Sequence, residues 1–265
     1  MNRPLSVFSF LLILFALVTS VVAQESREVN KSATFAANGR LSIDTYKGSI
    51  SILPWDKSEI EIHAIIESDG SDRYEREMVD GTEIRIDLTS SSARIKTDYD
   101  HAKRRHRGFL GIFNDDSGNL PLVHYTIKVP RTTRVMIKDY KSKTTIDDLQ
   151  GDVDVETYKG EVEIGRLSGA LELQTYKGEA HVSFANLAGR SRVETYKGEI
   201  ELSLPKGKGF DLDADIGRHA RLDSDFERVR DNDRRRGYEV RQSVNGGGPQ
   251  LRVKSEHGTI RVRER

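Results

Sequence analysis

Glu156–Ile164 reads ETYKGEVEI, and the phrase returns as QTYKGEAHV at Gln174–Val182 and as ETYKGEIEL at Glu194–Leu202, with a variant, DYKSKTTI, ahead of them at Asp139–Ile146. Its tyrosines are Tyr140, Tyr158, Tyr176 and Tyr196, at steps of 18, 18 and 20 residues. Self-similarity at such a step marks a stacked repeat, in which each copy is one supersecondary unit that cannot bury its apolar residues alone. Within a copy the period is two. Val153, Val155 and Thr157 alternate with Asp152, Asp154 and Glu156, and after the turn Val162 and Ile164 alternate with Glu161 and Glu163. The next copies keep the phase, through Leu171 and Leu173, then Ala180 and Val182, and through Val193, then Ile200 and Leu202. Period two means strands, and a helical repeat would need apolar residues at i, i+3, i+4 and i+7. The pattern predicts an all-β fold, a parallel β-solenoid (β-helix-like) with two short strands per rung and rungs of about 18–20 residues.

Each copy turns at Tyr-Lys-Gly. Gly160, Gly178 and Gly198 stand where the alternation restarts, and Gly48 and Gly258 hold the same place in outlying copies. A tight turn there predicts φ > 0, which glycine adopts without strain. Because adjacent strands lie ~4.8 Å apart, identical positions form ladders. One ladder is tyrosine, and the next is lysine: Lys141, Lys159, Lys177 and Lys197. Stacked ammonium groups repel by about 1 kcal/mol even in water. Glu156 and Glu194 before the turn, and Glu161, Glu179 and Glu199 after it, are the expected neutralising partners.

The same phrase occurs about a hundred residues earlier, at Leu41–Ile52 (LSIDTYKGSISI), so the N-terminal part is built from the same rungs. It recurs in worn form at Leu251–Val262, where Glu256 and His257 replace Tyr-Lys; terminal repeats are often atypical because they cap the stack. Trp55, after Pro54, is expected to cover an end. Two polar stretches interrupt the alternation, residues 99–119 and 225–249, and are read as loop excursions. The first carries Lys103, Arg104, Arg105 and Arg107; the second carries Arg234, Arg235 and Arg236.

Ahead of the repeats, Arg3, the apolar run Leu11–Val18 and the small residues Val21-Val22-Ala23 have the form of a secretory signal peptide over residues 1–23. An uncleaved membrane anchor is the competing reading, since the run approaches the ~20 residues that span a bilayer. Residues 24–265 then form one exported domain, with the periplasm, the cell surface and the medium as open destinations and no stable membrane insertion after cleavage.

Charge points away from nucleic acid: Lys+Arg and Asp+Glu number 42 each in 265 residues. Cysteine is absent, which removes disulfides, thiolate metal sites and a cysteine nucleophile. No hydrolase elbow, zinc-protease, P-loop or dinucleotide motif occurs, and the seven histidines are scattered. Asp211, Asp213 and Asp215, followed by Asp223 and Asp225, are a row of carboxylates. Calcium needs six to eight oxygens from several segments, so ion pairing to nearby Arg218, Arg221 and Arg228 is the preferred reading. No enzyme activity, metal or cofactor is expected.

HYTIKVPRTTRVMIK (124–138), the TYKG phrases, LPKGKGFDLDADIG (204–217) and GGGPQLRVKSEHGTIRV (246–262) resemble the bacterial putative-adhesin family, a domain of unknown function with a β-solenoid fold. The likeness spans about residues 36 to 265 and implies an exported, adhesin-like envelope protein with no catalytic residues to carry over. Tyr-Lys at every turn departs from similar proteins, where small polar residues are common. The candidate ligand strip is therefore Tyr158, Lys159, Tyr176, Lys177, Tyr196 and Lys197, offered to an envelope polysaccharide or a surface protein. The alternatives are a structural or regulatory envelope accessory that binds a protein partner, and a carbohydrate-active β-helix enzyme.

Overall fold

A computed structural model describes residues 25–70, 75–102, 120–226 and 237–265. The leader and both basic clusters named above lie outside the described residues. Among those described, the fold is all-β apart from the short helix α1 (Glu75–Gly81) and three helical residues at 100–102.

The repeat region turns alternation into paired strands: β8 (Arg134–Asp139) with β9 (Lys141–Asp147), β10 (Val153–Thr157) with β11 (Glu161–Leu167), β12 (Leu171–Thr175) with β13 (Glu179–Phe184), and β14 (Ser191–Thr195) with β15 (Glu199–Leu204). The first strand of each pair joins one sheet, B, and the second joins another, A. Neighbours from successive copies are parallel and in register, Val155 beside Ile137 and Leu173 in sheet B, and Val162 beside Thr144 and Ala180 in sheet A. Every inward position is buried, so each apolar ladder feeds one continuous core. A fully buried Leu or Val side chain is worth about 1.5–3 kcal/mol, which holds the phase from rung to rung apart from one irregularity between Ile164 and Leu167.

Spatial order departs from chain order at both ends. The early copy, β2 (Arg40–Asp44) with β3 (Lys47–Trp55), pairs directly with β8 and β9, while β6 (Ser92–Asp98) and β7 (Leu122–Pro130) lie beyond it. The closing phrase, β19 (Gln250–Ser255) with β20 (Thr259–Glu264), is an interior rung rather than a cap: it lies between β14/β15 and the strands β16 (Phe210–Ile216) and β17 (Arg221–Ser224). Trp55 likewise ends an interior strand, with Lys57 and Lys128 over its ring at 4.6 and 5.4 Å.

Four pairings are antiparallel, β1 (Ser26–Thr34) on β4 (Glu59–Glu67), β4 on β7, β5 (Glu83–Leu88) on β6, and β18 (Tyr238–Val244) on β16, so that β4, β5 and β18 run against the stacks and β1 runs with them. The result is two open, mixed ten-stranded sheets, ordered β1-β4-β7-β3-β9-β11-β13-β15-β20-β17 and β18-β16-β19-β14-β12-β10-β8-β2-β6-β5. The expectation of purely parallel rungs is corrected by these antiparallel partners, which lie on the outer rungs except at β17, an edge of the first sheet. The second loop excursion is corrected too, because β18 lies within residues 225–249. Its Tyr238, Val240 and Gln242 pack inward at alternate positions, a period that the flanking charges obscure in the sequence.

Candidate functional site: the tyrosine corner

The corner is built by a side-chain turn. Thr157, Thr175, Thr195 and Ser255 are buried, and each hydroxyl accepts a hydrogen bond from the backbone N–H three residues later, at Gly160, Gly178, Gly198 and Gly258, over 2.7–3.0 Å. Asp139 plays the same part for Ser142, at 2.6 Å. A Ser/Thr/Asp side chain that imitates a backbone turn closes the bend locally, so the full motif is Thr-Tyr-Lys-Gly, one residue longer than the phrase suggests.

The glycines are required for a reason other than the one expected. Of the five motif glycines only Gly48 has a positive φ, 127°. The others are needed because rungs approach closely: a Cβ on Gly178 would stand 2.1 Å from the Gly160 carbonyl oxygen, one on Gly198 2.1 Å from that of Gly178, and one on Gly258 2.0 Å from that of Gly198.

Past this turn the tyrosines point outward and stack. Tyr46, Tyr140, Tyr158, Tyr176 and Tyr196 form one column with centroids 4.7–4.9 Å apart and planes within 1–10° of parallel. Tyr99 meets Tyr46 edge-on at one end, and at the other His257 lies edge-on to Tyr196 at 4.9 Å and stacks on His219 at 5.2 Å. Sequence reasoning left Tyr46, Tyr140 and both histidines out of the candidate strip. The alignment of Gly258 with Gly198 was the available signal for His257; nothing local marks His219. Tyr158, Tyr176 and Tyr196 are 37–40% exposed. Since their faces are turned to one another, they present edges and hydroxyls to solvent. Behind the column, burial pushes the Tyr125 hydroxyl up to about 12 while it hydrogen-bonds Thr97 at 2.6 Å.

The lysines are not neutralised as expected. Glu156 pairs with Lys138, Glu161 with Lys143, Glu199 with Arg261 and Glu194 with Arg192. Among the described residues Lys141, Lys159, Lys177 and Lys197 make no ion pair, whereas the early copy's Lys47 is buried against Asp69. Lys159 and Lys177 instead lie 5.4–5.9 Å from tyrosine centroids. On the side away from these lysines runs an open groove of about 570 Å³, walled by Tyr140, Tyr158, Tyr176 and Tyr196 and floored by outward residues such as Glu156, Gln174 and Glu194.

Asp139 is a buried carboxyl in the threonine ladder, raised by burial to about 6. A carboxyl that holds its proton more tightly when folded contributes most below its unfolded pKa, near 4, and that contribution is lost as pH rises through about 6. D139N keeps an acceptor for the Ser142 amide and removes the charge. It is expected to raise stability by up to roughly 2 kcal/mol at neutral pH and to give no gain at about pH 4. Melting curves at the two pH values check this, and an unchanged neutral-pH melting point would contradict it.

Among the described residues the acidic row is paired as expected but not in contact with Arg218 or Arg221, although, beside the Arg263 hydrogen bond, the Arg221 charge helps to lower the Asp223 carboxyl; Arg228 lies outside the described residues. Asp211 accepts from Ser243 at 2.6 Å, Asp213 meets Arg241, Asp215 meets Lys254, and Asp223 and Asp225 share Arg263. Among the described residues no group of three or more His, Asp or Glu is placed to hold a metal ion, and no helix is long and apolar enough to cross a membrane.

With two mixed sheets and a repeated corner established, comparison places the fold. The Toastrack DUF4097 family matches residues 112–263, more than half of the chain. The chain belongs to this family. That agrees with the adhesin-like domain of unknown function which the sequence resembles. The putative cell adhesion protein of Clostridium sporogenes is similar in structure, with a TM-score of 0.53 and 13% identity over 91% of this chain and 100% of its own, a likeness of fold alone. The putative adhesin of Parabacteroides distasonis has a TM-score of 0.29 and 10% identity over 89% and 97%. No curated protein matches the chain. The Toastrack match includes the column from Tyr140 to His257, while Tyr46 and Tyr99 lie ahead of it.

Proposed function

We propose that this Toastrack chain is an exported, non-enzymatic β-solenoid that serves as an interaction module of the cell envelope or surface, and that its tyrosine corner is the contact strip for an extended envelope polysaccharide. One observation carries the reading: an unbroken ring column with a row of unpaired lysines on one side and an open groove on the other. The turn needs threonine and glycine, and the core needs its aliphatics; neither needs an exposed Tyr-Lys pair on every rung. The name of the Clostridium sporogenes neighbour is in keeping with this role.

Because the ring faces are taken by one another, a sugar chain lies along the column rather than between rings. Tyrosine hydroxyls and lysine ammonium groups then donate to its hydroxyl, amide or carboxylate oxygens. Single contacts of this kind are weak, and repetition at every rung makes them useful together.

The test is retention on purified envelope polysaccharides of wild type and the K159Q/K177Q/K197Q protein. These side chains are exposed and unpaired, so stability should change by less than about 0.5 kcal/mol for each. Retention is expected to fall about tenfold or more, since each 1.4 kcal/mol of lost binding is tenfold. Equal retention by the two proteins would remove the strip from the account. Capture of a protein instead would favour an envelope accessory, and shortening of the polymer would favour an enzyme.

A further inference from the structure

The outer face of sheet B, whose end at the corner forms the floor of the groove, carries charge in bands. The outward residues are Arg134 and Lys138 on β8, Asp152, Asp154 and Glu156 on β10, and Glu172 on β12. They continue as Arg190 and Arg192 at β14, Arg252 and Lys254 on β19, and Asp211, Asp213 and Asp215 on β16. Crossing the strands, the face reads basic, acidic, basic, acidic.

We propose that this face binds a second copy of the chain, about a two-fold axis that runs parallel to the strands between β12 and β14. Such an axis sets β12 against β14 of the second copy, β10 against β19 and β8 against β16. It also preserves height along the strands, so the register decides which side chains meet. Glu172 faces Arg192, Asp154 faces Arg252, Glu156 faces Lys254, Lys138 faces Asp215, and Arg134 faces Asp211, each pair occurring twice. At the remaining positions a charge meets an uncharged residue, as where Gln174 faces Glu194 and Asp213 faces Met136. Within these six strands no like charges meet; one strand further out, where β2 faces β18, Asp44 stands opposite Glu239 and marks the edge of the contact. Moving the axis one strand, to between β10 and β12, would set Asp154 against Glu172 and Arg134 against Arg190.

Arg252 and Asp154 are among the groups on this face without an ion pair among the described residues, and the axis joins them. Arg252 makes no ion pair among the described residues, and its Nε is buried without a hydrogen bond. Asp154 is also unpaired, and its carboxyl is raised by burial and by the nearby Glu172 and Glu156 charges. The geometry suits a long register match as well. Both copies share the same ~4.8 Å strand spacing.

Six strands by five residues give a contact of roughly 29 by 17 Å, or about 1,000 Å² over both copies, at the weak end of specific interfaces. The dimer is therefore expected only at tens of micromolar or above, and to dissociate by about 0.5 M salt, where the Debye length falls to a few ångströms. Both tyrosine corners would lie along the same rim of the dimer. The inference does not rest on the polysaccharide reading, and the dimer would cover the groove floor at Glu156, Gln174 and Glu194.

Sedimentation velocity of residues 24–265, run as a concentration series at low and high salt, tests it. D154R and R252D should each weaken the wild-type dimer about tenfold or more, because each sets like charges face to face. An equimolar mixture of the two variants should regain the dimer, since each altered residue then meets its complement; this rescue requires both proteins to be folded. D154N, a smaller change, should weaken it less. The proposal is overturned by a wild type that stays monomeric at low salt up to about 0.5 mM, by a dimer that D154R and R252D leave unchanged, or by folded variants whose mixture stays monomeric.

Discussion

Gly178→Ala is expected to be the most damaging single substitution at the corner, costing roughly 3 kcal/mol or more. The added Cβ would stand 2.1 Å from the Gly160 carbonyl oxygen, with Thr175 Oγ1 at 2.7 Å on another side. Neither obstacle is a flexible side-chain end. One is the backbone of the preceding rung, and the other is the turn hydroxyl that holds the Gly178 amide. Relief requires two rungs to part, which disturbs the parallel ladders in both sheets and the tyrosine stack outside them. At this chain length the loss corresponds to a fall of about 6–12 °C in melting temperature. Gly70→Ala is the control: nothing lies within 4 Å of its Cβ, and φ there is not positive, so thermal melting should hardly change. A G178A protein that melts with wild type would show that the rungs are not held in close contact at the turn.

The triple substitution Y158S/Y176S/Y196S removes the stacking of Tyr158 on Tyr140, Tyr158 on Tyr176 and Tyr176 on Tyr196, and the edge contact with His257. At about 0.5–1.5 kcal/mol for each aromatic pair, the expected destabilisation is roughly 2–6 kcal/mol. Partial exposure places the result in the lower half of that range. Stability alone does not distinguish a brace from a binding strip, so the measurement is paired: the melting curve, and retention on envelope polysaccharide per folded molecule. The proposed function expects both to fall. A lowered melting point with unchanged retention would make the column a brace only. The lysine triple then serves as the complementary case, because it reduces contacts to the polymer while leaving the ring stack in place.

Much of the corner was legible in the chain because its determinants are local. Alternation of Val153, Val155 and Thr157 specifies a strand with one buried side, and the return of Thr-Tyr-Lys-Gly specifies where it bends and what stands outside the bend. Strand type, turn position and the tyrosine ladder follow from residues close together in sequence, and they hold wherever a rung sits in the stack. Rung order does not follow in this way. Every copy offers nearly the same edge and the same inward aliphatics, so a local pattern cannot say that Gln250–Ser255 inserts between Ser191–Thr195 and Phe210–Ile216. Nor does it say that Tyr46 meets Tyr140 across ninety-odd residues of chain.

Properties that depend on neighbours across the strand gap were therefore decided by tertiary structure. Among the described residues Lys141, Lys159, Lys177 and Lys197 lack carboxylate partners because register gives Glu156 to Lys138 and Glu161 to Lys143. His257 joins the ring column because its rung lies on top of Tyr196. The glycines answer to the carbonyl of the rung below rather than to their own φ, and the charge bands of sheet B exist only once the rungs are set in spatial order. By itself the sequence determined an all-β chain with a repeated turn and an outward Tyr-Lys pair on each copy, since side-chain alternation and turn chemistry act within a few residues. Which charges stand free, which rings touch and which face can meet a second copy were decided by the stacking, because strands ~4.8 Å apart join residues that the chain keeps far from one another.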